Sequence, residues 1–183
     1  GQLFLLWLSL LLPNGGDGEA TKVTFDPDTA YPWLIVSADG KYVISGNESQ
    51  SVPDNSKRFS RSPCVLGSRG FTSGKHYWEV EFGNQREWAV GVARESVERK
   101  EYLRLSPEEG IWAEGRWWLR RRDLSSQGAG WPVGKIIVYL DYKAGLVVFY
   151  VEGKVIPMSA SFNGERVFPF FYVGGGVWLK LNF

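Results

Sequence analysis

The chain has few of the residues that form disulfides and metal centres. Its 183 residues include one cysteine, Cys64, and one histidine, His76. A single cysteine excludes an internal disulfide, and the pair supplies too few ligands for a structural zinc site. Cys64 lies in the largely apolar run 62–66, so we predict a buried small hydrophobe, with a disulfide between chains as the alternative. No metal ion or other cofactor is expected.

An excess of one charge sign and a membrane-spanning run are also missing. The 21 basic and 20 acidic residues leave a net charge of +1, which creates no strong overall field for a nucleic-acid partner. The apolar run at 3–12 is well short of the about 20 residues that cross a bilayer. We therefore expect neither nucleic-acid binding nor a membrane span. The expected state is a monomer.

The apolar run at 3–12 instead fits the centre of a secretory signal, which is about 7–15 residues long. Gly18 and Ala20 place small residues ahead of a cleavage site at Thr21. An initiator Met and a basic segment are missing, so we predict that residues 1–20 are a partial signal peptide. Residues 21–183 are then one mature, secreted domain. A helix packed on the domain and non-native readthrough sequence are the alternatives for the first twenty residues.

A glycosylation motif supports the same interpretation. Asn47-Glu48-Ser49 has the form Asn-x-Ser, and its middle residue is not proline. The motif lies in the polar stretch 45–57, which is typical of an exposed loop. We predict an N-linked glycan on Asn47.

The body of the chain shows the period of two that is typical of strands. In the segment 77–82, Trp78, Val80 and Phe82 share one face, and two glutamates share the other. The last residues alternate in the same way, with the predicted buried set Val177, Leu179, Leu181 and Phe183.

Two further runs, 136–140 and 147–151, are apolar throughout and suit strands that are covered on both faces. Residues 141–145 between them predict a hairpin turn that ends in a glycine. Aromatic residues make up 15% of the chain and glycine occurs 22 times, which favours short strands and tight turns. The pattern predicts an all-β antiparallel sandwich or barrel with short helical turns only.

Several motifs follow one another along the chain in a specific order. The strongest is Phe71-Thr72-Ser73-Gly74-Lys75-His76-Tyr77-Trp78-Glu79-Val80-Glu81. The other segments are 25–30, 53–55, 58–59, 64–67, 88–92, 110–112 and 140–142. In order and spacing these motifs resemble the PRY-SPRY family over essentially all of residues 22–183. The resemblance implies a two-sheet antiparallel β-sandwich that recognises proteins and catalyses nothing.

Within that family, a second set of segments is similar to the ohanin and vespryn group of secreted reptile venom proteins. These segments are 85–91, 102–105, 107–109, 117–121, 134–138 and 162–167. The resemblance implies a neuroactive toxin that lowers locomotion, raises pain sensitivity and acts on an extracellular receptor through loops at one end of the sandwich. The alternative is a recognition module of an intracellular tripartite-motif ligase or a butyrophilin whose upstream domains are missing.

The resemblance also indicates where a partner would bind. Intracellular relatives have a pocket beside the strand that contains Ala89, and those that grip charged ligands carry an ionisable residue at that position. The alanine argues against the same ligands here, although Ala89 still marks the predicted contact surface. Tyr102, in one of the venom-type segments, is added as a contact residue.

The segment 112–122 has four arginines and three tryptophans, the residue types most enriched at binding hot spots. We predict that Trp112 is in the core. One of Trp117 and Trp118 must face outward if they lie on a strand. The predicted contacts here are Arg116, Trp117, Trp118, Arg120 and Arg121. The alternative is a strand with its tryptophans in the core and its arginines in solvent.

Nothing in the sequence assembles a catalytic site. His76 has no nucleophile or carboxylate placed beside it, so we interpret it as structural. The glycines at 174–176 lack the Lys and Ser or Thr of a phosphate-binding loop. Arg94, Arg99, Lys100 and Arg104 are interleaved with glutamates, which is typical of a solvated loop. We predict a binding protein without catalytic residues.

Overall fold

The computed structural model describes residues 20–83, 86–116 and 133–183. The apolar run of the predicted signal and the four predicted contacts Trp117, Trp118, Arg120 and Arg121 lie outside these ranges. The described part of the chain has one short 3-10 helix, Pro107–Glu109, and none of its helices could cross a membrane. The strands are β1 Leu34–Val36, β2 Tyr42–Ser45, β3 Cys64–Leu66, β4 Lys75–Gly83, β5 Trp88–Arg94, β6 Ile111–Gly115, β7 Gly134–Asp141, β8 Leu146–Val151, β9 Lys154–Ser159, β10 Val167–Val173 and β11 Trp178–Asn182.

The strands form two antiparallel sheets, which confirms the predicted sandwich. The larger sheet has seven strands in the order β1-β2-β11-β4-β7-β8-β9. The smaller sheet has four in the order β3-β10-β5-β6. The hairpin between β7 and β8 turns at Asp141–Leu146, where Gly145 has the positive φ of 61° that such a turn needs.

The main core lies between the two sheets and follows from the alternation of the strands. In β4, the buried side chains are Trp78, Val80 and Phe82, as predicted. They meet Val90 and Trp112 of the smaller sheet, so the prediction of a core Trp112 is also confirmed. Aromatic rings of the two sheets pack directly, since Phe82 stacks on Trp88 with ring centroids 4.1 Å apart.

The smaller sheet is buried on its outer face as well. Side chains of its strands join Phe59, Val97 and Leu105, which come from loops that cross that face. Cys64 belongs to this second cluster and is fully buried. Burial also raises the pKa of its thiol well above the ordinary value. The predicted small hydrophobe is therefore confirmed, and a fully buried sulfur is out of reach of a second chain.

Phe183 departs from the predicted alternation. It follows the buried positions 177, 179 and 181 in phase, yet its ring is 44% exposed. The side chain lies one residue past β11, where the opposite sheet no longer covers it. The ammonium groups of Lys41 and Lys22 lie 4.4 and 5.2 Å from the ring centroid instead.

Candidate partner-binding surface

The loop of residues 97–105, called here the Tyr102 loop, lies on the outer face of the smaller sheet. Val97 and Leu105 are buried in the outer cluster and Leu103 packs against it. The backbone N–H of Leu103 donates a hydrogen bond of 2.9 Å to the buried Ser62 hydroxyl. Next to this anchor, Tyr102 is 76% exposed, more than any other large apolar or aromatic side chain in the described ranges. The loop thus presents one aromatic ring to solvent from a fixed backbone.

A basic group lies against this ring. The guanidinium carbon of Arg61 is 5.4 Å from the Tyr102 ring centroid, within the range of a cation–π contact. Arg61 also forms an exposed ion pair with Glu101, at 3.8 Å between Nε and Oε2. An exposed pair of this kind adds little stability. Arg61 carries no sequence signal that distinguishes it from other surface arginines, and the sequence analysis missed it.

Most of the basic residues of this region are structural, so the prediction of a solvated loop is wrong for them. Arg99 donates to the carbonyls of Lys57 and Glu95. The Lys100 ammonium donates to the Asp54 carboxylate and to two carbonyls of the 55–58 segment. Arg94 donates to the Ser161 carbonyl, and its guanidinium carbon lies 5.2 Å from the Trp112 ring centroid. Arg104 is exposed, as predicted.

Ala89 is not on the surface, which corrects its prediction as a contact residue. It lies in the middle strand region of the smaller sheet, paired with Tyr172 on one side and Gly115 on the other. Its methyl group is fully buried in the outer cluster. Burial raises the pKa of the neighbouring Tyr172 to about 12, and the negative charge of Glu87 adds to the shift. Tyr172 is therefore neutral at neutral pH, and the buried Ala89 offers no surface to a partner.

Arg116 lies away from the Tyr102 loop. It follows β6, and its N–H donates to the Trp88 carbonyl at 2.7 Å. Strand alternation puts Glu114 on the same side as Trp112, which faces the larger sheet. Burial lowers the pKa of Arg116, whereas Glu152 in the turn between β8 and β9 opposes that shift. The structure therefore places Arg116 just past the end of the edge strand β6, within electrostatic reach of Glu152, and Tyr102 on the outer face of the smaller sheet.

Asn47 and Ser49 of the glycosylation motif are both exposed, as the predicted loop requires. Asn47 borders a depression of about 500 Å³ at the edge of the larger sheet. This depression is separate from the Tyr102 loop, and none of its lining residues belongs to that loop.

His76 is held as a structural residue. Its ring stacks on Phe71 with centroids 3.9 Å apart, and its nitrogens lie 3.3 Å from the Thr21 hydroxyl and 2.9 Å from the Ser73 carbonyl. Within the described ranges, no group of three or more His, Cys, Asp or Glu side chains is arranged to hold a metal ion.

Comparison with known proteins identifies the class of the fold. The SPRY-associated domain, PRY, matches residues 23–71, and the SPRY domain matches residues 75–183. The stonustoxin structure superimposes with a TM-score of 0.70 at 26% identity, covering 89% of this chain and 27% of that chain. The chain belongs to the PRY-SPRY family, as the motifs predicted.

The curated relatives narrow the class to one group. Ohanin of Ophiophagus hannah is 54% identical over 164 residues, which are 90% of this chain and 86% of ohanin. Vespryn-21 of Drysdalia coronoides is 51% identical over 185 residues, which are 97% of each protein. These similarities place the chain with the ohanin and vespryn venom proteins.

Proposed function

We propose that this protein is a secreted, non-enzymatic ligand of the ohanin and vespryn type that binds an extracellular protein receptor through the Tyr102 loop. One observation carries the proposal: an aromatic ring that is 76% exposed on a loop whose backbone is anchored. Membership of the PRY-SPRY family, whose domains bind proteins, supports it.

Tyr102 has the properties of a binding hot spot. A tyrosine buries a large apolar ring and keeps a hydroxyl for a hydrogen bond, and it loses few rotamers on binding. Because Val97, Leu103 and Leu105 hold the loop in place, little backbone entropy is lost when a partner binds. Arg61 beside the ring adds a donor for a carbonyl or carboxylate. The expected partner surface has an apolar recess with an acidic rim.

A second part of the proposal is a further set of predicted contacts, namely Arg116, Trp117, Trp118, Arg120 and Arg121. Arg116 lies on a different side of the smaller sheet from Tyr102, so one partner that touched both would have to wrap around its edge. As the consequence of receptor binding, the resemblance to the ohanin and vespryn group implies a neuroactive effect, with lowered locomotion and raised pain sensitivity.

The alternative function, a module of an intracellular ligase or butyrophilin, receives less support. The ohanin and vespryn relatives are 51–54% identical to this chain over most of its length, which favours the secreted ligand.

We expect Tyr102→Ala to weaken receptor binding by about 30-fold, which corresponds to roughly 2 kcal/mol for a hot-spot residue. The measurement is saturation binding of the fluorescently labelled protein to cultured sensory neurons, followed by flow cytometry. Arg61→Ala should weaken binding less, by about 3-fold to 10-fold, because the exposed ion pair with Glu101 holds the Arg61 guanidinium only weakly.

The matched control for this experiment is Tyr42→Ala. Tyr42 is another exposed tyrosine under a cation, with the Lys180 ammonium 5.5 Å from its ring, but it lies on the larger sheet. Binding that survives loss of Tyr102 and falls with loss of Tyr42 would overturn the assignment of the surface. If neither the wild type nor any variant bound the neurons saturably, the proposal of an extracellular receptor on these cells would be overturned.

We also expect the open reading frame, with its start restored, to be secreted from eukaryotic cells. N-terminal sequencing of protein in the medium should begin at or near Thr21, because the small residues Gly18 and Ala20 precede that position. Protein retained in the cytosol with residues 1–20 intact would contradict secretion and favour the intracellular alternative.

A further inference from the structure

The glycosylation motif is held directly beside an exposed tryptophan. The N–H of Gly46 donates to the Trp33 carbonyl at 2.8 Å, and the N–H of Gln50 donates to the Pro32 carbonyl at 2.6 Å. These two hydrogen bonds bracket residues 47–49 and tie them to the start of β1. Asn47 therefore has a defined position next to Trp33, and both border the depression described above.

The edge of the larger sheet beside this motif is apolar and exposed. The outer face has a cross-strand row in which Ile35 pairs with Ile44, and Ile44 pairs with Trp178. Ile35 and Ile44 are 43% and 45% exposed, and Trp33 is 42% exposed. Most of the exposed large hydrophobic side chains of the described ranges lie between residues 33 and 52. The row of exposed apolar side chains at this edge is therefore a candidate contact surface.

The depression is open to solvent and has a lining that suits a sugar. Its volume is about 500 Å³. Aromatic side chains line it, Tyr31 and Trp33, together with the hydroxyl-bearing Ser45 and the small residues Gly46 and Gly175. One face of an N-acetylglucosamine ring consists of C–H groups and packs on an indole, while its hydroxyls remain in water. Lining of this type accepts a pyranose without burying unpaired polar groups.

We propose that an N-linked glycan on Asn47 lies in this depression, with its first sugar against Trp33, and covers the apolar edge of the larger sheet. The glycan is the occupant because its attachment point is part of the wall of the depression. It also masks β1, a three-residue edge strand whose free backbone groups would otherwise pair with another chain. The proposal rests on the secretion part of the proposed function, since the modification occurs in the secretory pathway.

The test uses the domain fused to an unrelated secretion leader, so that it does not depend on residues 1–20. Intact mass before and after enzymatic deglycosylation measures occupancy of Asn47, with Ser49→Ala as the unglycosylated variant. Hydroxyl-radical footprinting then measures the oxidation rate of Trp33. We expect full occupancy and an oxidation rate at Trp33 at least about 3-fold lower with the glycan, while the rate at Tyr102 stays unchanged.

A relocated glycan provides the matched control. In an Asn47→Gln background, Glu152→Asn with Lys154→Thr creates a new motif on the exposed turn between β8 and β9. Residue 152 has a φ of 51°, a conformation that Asn adopts readily, so the turn should keep its shape. A glycan at this position should not protect Trp33, so the oxidation rate at Trp33 should equal that of the unglycosylated Ser49→Ala variant.

Thermal unfolding gives an independent measurement through a double-mutant cycle. Loss of the glycan should lower the melting temperature by about 2–4 °C when Trp33 is present and by much less in Trp33→Ala. Three results would overturn the proposal: an unmodified Asn47, a glycan that leaves Trp33 as reactive as before, or an equal effect of the relocated glycan. None of these results would affect receptor binding through Tyr102, whereas failed secretion with the native leader would affect only the proposed function.

Discussion

Arg58→Met should lower the free energy of unfolding by about 2–4 kcal/mol, one of the largest effects of any single substitution in this domain. Arg58 is 4% exposed, and its guanidinium donates to the carbonyls of Pro53, Pro27 and Ala30 at 2.7–3.0 Å. It fastens the N-terminal segment to the loop before β3. Methionine fills much of the same volume but leaves these buried acceptors without a donor.

The measurement is thermal unfolding followed by circular dichroism, with an expected fall in melting temperature of roughly 5–15 °C. Arg58→Lys should recover part of the loss, because an ammonium keeps the charge but cannot reproduce the planar fork. Arg104→Ala, at an exposed arginine, is the control and should change stability by less than about 0.5 kcal/mol. If Arg58→Met had the same melting temperature as Arg104→Ala, the carbonyl contacts would not contribute to stability.

Gly91→Ala should destabilise the smaller sheet by about 3 kcal/mol or more. Gly91 pairs with Ala113 of β6, and a Cβ at this position would lie 1.9 Å from the Trp112 carbonyl oxygen and 2.7 Å from the Ala113 Cα. Both atoms are backbone, so no side chain can move aside. Strand β5 and the edge strand β6 must separate, which weakens their hydrogen bonds and the packing of Trp112.

Urea unfolding measures this effect, and hydrogen exchange of the β6 amides shows where it is located. Gly175→Ala is the matched control, because a Cβ there meets no heavy atom within 4 Å and its φ lies outside the left-handed region. That variant should be neutral or slightly stabilising. Equal unfolding free energies for the two alanine variants would show that the strands tolerate the extra methyl group.

The strands were predictable because their signals are local. In 77–82 the alternation of large apolar and acidic residues determines which face is buried, and β4 follows it. The continuous apolar run 136–140 becomes a strand that is buried on both faces. The division into two sheets came from the family resemblance, and the strand order within them was not predicted, since strand pairing depends on contacts that no local pattern records.

The surface was less predictable because its contacts join distant parts of the chain. Lys100 lies in a charged stretch that suggests solvent, yet its partners Asp54 and Asn55 are more than forty positions away in sequence. Ala89 could be placed on the correct strand from its motif, but its burial depends on loops that cross the smaller sheet. The exposure of Tyr102 depends in the same way on Ser62, to which the next residue along the chain is bonded. Arg116 was predicted within one continuous binding segment, but it lies by the edge of the sandwich.

The position of β11 in the larger sheet has a consequence for biosynthesis. Of the described strands, β11 is translated last, yet it lies between β2 and β4 and pairs with both. Until residues 178–182 leave the ribosome, the two neighbouring strands have unpaired edges and the sheet remains in two parts. During that interval the open edges are available for pairing with other chains. Truncation only a few residues before the end of β11 would leave the middle of the sheet, and not its margin, without a strand.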